Sequence, residues 1–367
     1  MADIVKGSAP DTSAFGNSNS YQSRALAWVE STSNGMSEGR ILQRFALASI
    51  YYATYNVPTT WSQAAGFSGG WFIKSGWLTS TSECSWHGVS CNSRSEVEVV
   101  RLDSNGLTGS FPKEVTLLKG SLLELDLTKN FLSNDDASFF GSLTNLEVLL
   151  MGHNAIIGSG LPSSWKNLVN LRSLDVGYCL FHGAIHDGFF SAFPDLEYLD
   201  ISGNTFNGAI PSTVASLSSL KFLYMQYTDL QGSLDPILKS GLRLIEELWC
   251  DDNPNLQGTI ASEVGQLTTL KSLSLVNCNL SGSIPSSIGN LVNMEQLWLS
   301  ENKLSGSVPS GLGSLKQMEI FFVQKNSLQG SIPSSVCSIP YLNKLGGDCN
   351  VCPSGCCTCC GAQCSNI

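Results

Sequence analysis

The chain has 367 residues, of which 42% are apolar and 14% charged, a composition that excludes disorder. Its formal net charge of −10 argues against nucleic acid and anionic membranes as partners, because both select clustered Lys and Arg. No run of about 18 apolar residues occurs, so no membrane-spanning helix is expected.

Residues 1–20 are rich in Ser, Asn, Gly and Ala and are expected to be flexible. The opening Met1-Ala-Asp-Ile-Val-Lys-Gly lacks the apolar stretch of a secretory leader. Thirteen cysteines, seven of them between Cys349 and Cys364, nevertheless indicate an oxidising compartment. The expectation is a secreted or cell-surface protein whose leader is absent from this chain. An N-terminal cap is expected over 21–96. Within the first half of the chain, 20–30 and 38–53 read as helices, the second with an apolar face of Ile41, Phe45, Leu47, Ile50 and Tyr51, ended by Asn56 and Pro58.

From 97 to 341 the spaced pattern L-x-x-L-x-L-x-x-N-x-L-x-G-x-I-P recurs every 24 or 25 residues. Its copies open at Val97, Leu122, Leu146, Leu171, Leu196, Leu220, Ile245, Leu270, Met294 and Met318, and Leu342 begins a truncated eleventh. The L-x-x-L-x-L portion predicts a short strand with its leucines inward and alternate residues outward. One such unit cannot bury its apolar face alone, so neighbours must stack and supply the core. Asn105, Asn130, Asn154, Asn204, Asn253, Asn302 and Asn326 fall in the following turn, where a buried amide can satisfy backbone groups of the bend and of the next coil. Cys179, Thr228 and Cys278 take that place elsewhere. With Cys250, the two cysteines are read as buried free thiols. The glycines of the pattern permit a tight backbone path.

A cysteine-rich C-terminal cap is expected over 342–367. Cys337, Cys349, Cys352, Cys356, Cys357, Cys359, Cys360 and Cys364 permit 105 pairings, which the sequence leaves open. Disulfides are preferred over a zinc site, because the thiols are too crowded for four simple ligands and no His is near.

The L-x-G-x-I-P form resembles the plant-type extracellular leucine-rich-repeat family, which includes plant receptor ectodomains, polygalacturonase-inhibitor proteins and secreted algal members. The resemblance covers Cys84 to the C-terminus. It implies an α/β solenoid: a right-handed superhelix of about ten repeats with a long parallel concave β-sheet, a helical N-terminal cap and the cysteine-rich C-terminal cap. It also implies a second short sheet from the G-x-I-P portion. Cys84-Ser-Trp-His-Gly-Val-Ser-Cys91 looks like the family's N-cap closure, whose two cysteines pair, while the helix beginning near Arg40 is closer to the algal form. Four places depart from the pattern, among them Ser133-Asn-Asp-Asp in the second repeat and Asp252-Asn253-Pro254-Asn255 in the seventh.

With the leucines committed to the core, function has to be read from the outward positions. Between the second and third apolar residues stand Arg101, Asp126, Leu150, Asp175, Asp200, Tyr224, Trp249, Ser274, Trp298 and Phe322. Two past the third stand Ser104, Lys129, His153, Tyr178, Gly203, Tyr227, Asp252, Asn277, Glu301 and Lys325. Rings therefore gather in the later repeats beside carboxylates, the usual composition of a binding surface. The candidate ligand-binding residues are Tyr178, Tyr198, Phe222, Tyr224, Tyr227, Trp249 and Trp298 as anchors, with Asp175, Asp200, Glu247, Asp251 and Asp252 supplying charge. A protein, peptide or glycan partner is expected. The alternatives are a structural subunit of a matrix, wall or appendage that self-assembles through flanks and caps, and an inhibitor of a secreted hydrolase. No catalytic motif stands out among four scattered histidines, so no enzyme, cofactor or metal is expected. Asn279-Leu-Ser281 is a glycosylation sequon.

Overall fold

The computed structural model describes residues 1–55, 57, 59–67, 69–361 and 364, and the chain divides into two units, Met1–Phe181 and His182–Ile367. The first unit opens with three helices: α1 (Ala2–Ser8), α2 (Tyr21–Thr32) and α3 (Glu38–Thr54). Ser20 caps α2 by accepting from the Ser23 N–H at 3.1 Å. Val5 of α1, Ala25, Leu26 and Val29 of α2, and Ile41, Phe45 and Ala48 of α3 bury one another.

Within residues 1–20, the helix α1 and the neighbouring Phe15 pack on the cap. The segment's Ser/Asn/Gly content hides Ile4, Val5 and Phe15, which supply enough apolar surface to dock on α3, with Phe15 stacked on Phe45 at 6.0 Å. The predicted helix stop at Asn56 and Pro58 lies outside the described residues, and α3 ends at Thr54.

A buried charge cluster ties α3 to the rest of the cap. Arg44 and Arg40 each approach the Glu83 carboxylate at 3.2 Å, and Gln43 Nε2 donates to it at 2.8 Å. Arg44 also donates to the carbonyls of Thr79 and Thr81, and its guanidinium lies 4.6 Å from the Trp28 ring centroid. Gln43 Oε1 accepts from the Val97 N–H at 2.7 Å, which attaches the cap to the first repeat strand. Cys84 and Cys91 are disulfide-bonded.

Four parallel strands follow in this unit: Val97–Arg101, Glu124–Asp126, Val148–Leu150 and Ser173–Asp175, in register. Val89–Cys91 pairs antiparallel with the first, so the cap supplies its outer edge. The turn asparagines behave as read, with one correction: they serve the coil before them. Asn130 Oδ1 accepts from the N–H groups of Asn105 and Leu107, while its Nδ2 donates to the carbonyls of Leu102 and Leu127. Gly109 shows why glycine recurs: its φ is +79°, and a Cβ there would meet the Ala53 carbonyl oxygen at 2.8 Å.

The second unit repeats the scheme. Tyr198–Asp200, Phe222–Tyr224, Glu247–Trp249, Ser272–Ser274, Gln296–Trp298, Ile320–Phe322 and Lys344–Gly347 are parallel and in register. A last short strand, Cys359–Cys360, pairs beside Lys344–Gly347. The expected second sheet forms from Ser281–Ser283, Lys303–Gly306 and Ser327–Leu328. Pro211, Pro285 and Pro309 each cap a 3₁₀ turn that leads back to the next strand.

Four disulfides resolve the open pairing in the C-terminal cap: Cys337–Cys356, Cys349–Cys360, Cys352–Cys357 and Cys359–Cys364. Cys179, Cys250 and Cys278 are buried and stand outside these disulfides. Burial pushes the thiols of Cys250 and Cys278 up, which keeps both protonated. No helix of the described residues is long and apolar enough to cross a membrane.

Candidate functional site

Every strand of a parallel stack presents its outward residues in columns, because register aligns equivalent positions. In the second unit, Tyr224, Trp249, Ser274, Trp298 and Phe322 form one such column. Rings at the ends of the column touch: Tyr224 lies 5.1 Å from Trp249, and Trp298 lies 5.0 Å from Phe322. Ser274 breaks the stack between the two tryptophans. Their strands are two apart, about 9–10 Å by normal strand spacing. A cavity of about 450 Å³ opens there, walled by Trp249 and Trp298.

The rim comes from the column that ends each strand. Tyr227, Asp252, Asn277, Glu301 and Lys325 all have φ between 53° and 58°, in the left-handed region. That conformation costs an L-residue roughly 1 kcal/mol and is imposed by the bend leading to the turn residue that follows, here Thr228, Asn253, Cys278, Asn302 or Asn326. Tyr227 is exposed, and it lines the cavity together with the half-buried Asp252 and with Glu301. Asn277 Nδ2 donates to Asp252 at 2.8 Å, and Lys325 pairs with Glu301 at 2.8 Å.

The floor was not foreseen. It comes from the column one past the third apolar residue, where Asp251, Val276, Ser300 and Gln324 follow one another. Only Asp251 was singled out from the sequence. The missed signal is the period of two: the alternation continues one residue past the last leucine, so this column also turns outward. Asp251 accepts from Ser274 Oγ and from the Val276 N–H, both at 2.8 Å. Burial, reinforced by the neighbouring Asp252, pushes its carboxyl above the usual range, and those two neutral donors only partly offset this. Gln324 is 8% exposed, and its Oε1 has no hydrogen-bond partner among the described residues.

The structure thus gathers Tyr227, Trp249, Trp298, Asp251 and Asp252 of the predicted set into one cavity. Tyr198, Phe222 and Tyr224 continue the strand face beside it: Tyr198 lies 6.3 Å from Phe222 and 5.6 Å from Tyr224. Glu247 accepts from the Tyr224 hydroxyl at 2.6 Å, and burial together with that carboxylate keeps the phenol protonated. Asp200 is turned to local use, accepting from Ser202 N–H at 2.8 Å and Ser202 Oγ at 2.5 Å.

Asp175 and Tyr178 belong to the first unit. There Asp175 accepts from the Gly177 N–H at 2.8 Å, and Tyr178 stacks on His153 at 4.6 Å. Phe322, which the column alone places among the outward rings, is 2% exposed because Cys359 and Cys364 of the C-terminal cap cover it. Asn279 of the sequon is half-buried and precedes Ser281–Ser283.

Comparison with known proteins agrees with this architecture. Residues 120–181 match one Leucine rich repeat family model, and 195–217, 269–291 and 293–315 match another. Receptor-like protein 41 of Arabidopsis thaliana is 35% identical over 140 residues, covering 38% of this chain and 16% of that protein. Receptor-like protein EIX2 of Solanum lycopersicum is 36% identical over 115 residues, covering 30% of this chain and 11% of that protein. The match therefore spans a small fraction of each relative's own length. Among solved structures, the ectodomain of the Arabidopsis receptor kinase HAESA with an IDA peptide hormone ligand is 31% identical. It covers 75% of this chain and 45% of that one, with a TM-score of 0.68. A plant ice-binding protein, 22% identical with a TM-score of 0.64, covers 79% of this chain and 92% of its own and shares the fold. The chain carries leucine-rich repeats and is similar to plant receptor-like proteins and receptor ectodomains.

Proposed function

We propose that this chain is an extracellular or cell-surface recognition module, without catalysis of its own, that seats a peptide or protein segment on the strand face of the second unit. The observation that carries the reading is the cavity where Ser274 separates Trp249 from Trp298. A slot with two indole walls, polar groups on its floor and an acidic rim combines the anchor and orientation elements of an interface hot spot. The HAESA ectodomain was solved with a peptide hormone, as was the plant receptor RGFR1, 29% identical to this chain. Those relatives support ligand recognition as the class of function.

Binding of the purified, oxidised chain to a panel of secreted peptides, proteins and glycans tests the proposal, beside a Trp249→Ala/Trp298→Ala variant. The expected result is a peptide or protein ligand whose affinity falls at least tenfold in the variant, or about 1.4 kcal/mol. A ligand bound equally by both chains would move the site elsewhere. Capture of glycans alone would replace the peptide reading.

A further inference from the structure

The cavity between Trp249 and Trp298 has a chemical bias that its size and aromatic walls alone do not show. Two of its donors are already engaged: Trp249 Nε1 donates to Ser272 Oγ at 2.9 Å, and Ser274 Oγ donates to Asp251 at 2.8 Å. Its carboxylates Asp251 and Asp252 have no cationic partner among the described residues. Gln324 lines the cavity at 8% exposure with an Oε1 that has no partner among the described residues. Asp251 and Asp252 accept only from neutral groups, namely Ser274, the Val276 N–H and Asn277. Glu301 is different, because Lys325 neutralises it at 2.8 Å. Two carboxylates without a cationic partner and two electron-rich indole faces therefore converge on one space, with the orphan Gln324 Oε1 buried beneath its lining.

We propose that this cavity receives the guanidinium of an arginine side chain carried by a peptide ligand, resting on the recognition role proposed above. A guanidinium is planar, so it lies flat against an indole face, where the ring quadrupole attracts a cation. Its five N–H donors lie in that same plane and reach acceptors at the edge of the slot, here Asp251 and Asp252, with the unpaired Gln324 amide oxygen just beneath them. An ammonium would satisfy the charge but not the stacking. A sugar ring would use the indole faces and leave the two carboxylates without a counter-charge.

Titration of the oxidised chain with Nα-acetyl-arginine amide, following the tryptophan indole N–H resonances, tests this directly. The citrulline analogue is the control, since it keeps the shape and loses the charge. The expected outcome is that arginine moves the resonances of Trp249 and Trp298, each assigned by substitution, with citrulline at least tenfold weaker. Asp251→Asn/Asp252→Asn should weaken arginine at least tenfold while leaving any citrulline response unchanged, and Gln324→Met should weaken arginine to a lesser degree. Near-ultraviolet circular dichroism of each variant reports whether the fold is retained. Equal response to citrulline, absence of any arginine response, or oligosaccharides moving the same resonances in its place would overturn the proposal. A panel peptide that depends on Trp249 and Trp298 but not on an arginine would defeat this inference and leave the recognition role standing. Loss of both dependencies would defeat both.

Discussion

Glu83 in the first unit and Asp251 in the second are both carboxylates removed from water, and their surroundings treat them in opposite ways. Burial raises both. At Glu83, hydrogen bonds from Arg40 and Gln43 and the charge of Arg40 outweigh burial and hold the carboxyl below its ordinary range. At Asp251 the donors are a serine and a backbone N–H, the nearest charge is another carboxylate, and the group titrates above its ordinary range. The Glu83 carboxylate, which holds the cap together, is compensated where it sits. A carboxylate left uncompensated in an open cavity retains attraction for a cation from outside.

Breaking the compensated site should have the largest effect. Glu83→Ala strands Arg44, whose side chain is fully buried, and should cost about 3–5 kcal/mol of stability in urea unfolding. The neutral turn asparagines give an intermediate case. Asn130→Ala and Asn253→Ala each leave several buried backbone groups unpaired and should cost about 2–3 kcal/mol by the same measurement. Similar losses at the two positions would show that the asparagine contributes equally in both units. Asp251→Asn sharpens the contrast from the other side: without ligand it should change stability by no more than about 1 kcal/mol, and any change should favour folding.

The pH dependence separates the two carboxylates by sign. Glu83 has a folded pKa below its unfolded value of 4.5, so its contribution is complete above that value and is lost as pH falls through the folded pKa. Asp251 has a folded pKa above its unfolded value of 3.8, so between the two values the native chain holds a proton that the unfolded chain has released. Its contribution therefore diminishes as pH rises through that window. Urea midpoints measured from about pH 3 to about pH 7 should show Glu83→Gln removing part of the acid-side loss and Asp251→Asn removing a smaller slope of opposite direction.

Most of the fold was readable because the repeat is redundant. A leucine at Leu223, Leu248, Leu273 and Leu297 must point inward in each copy, and each is fully buried. The caps were readable only in part. Ala2–Ser8 escaped because its few apolar residues matter through docking on α3, not through any local period. The site was half readable: the outward column naming Trp249 and Trp298 follows from alternation. That Ser274 opens a cavity, that Asp200 serves Ser202, and that the C-terminal cap closes over Phe322 depend on neighbours in space.

The sequence by itself determined a stack of parallel strands, the inward and outward sides of each strand, and the oxidising setting. These are periodic or compositional properties that every copy restates. Tertiary structure alone decided which of 105 cysteine pairings forms, which carboxylates are compensated, and where the gap among the rings becomes a cavity. The physical reason is that charge compensation and cavity shape are set by distances between residues more than twenty apart in the chain, which no local pattern encodes, while the cap cysteines lie close enough in sequence that only the folded path of the cap selects their partners.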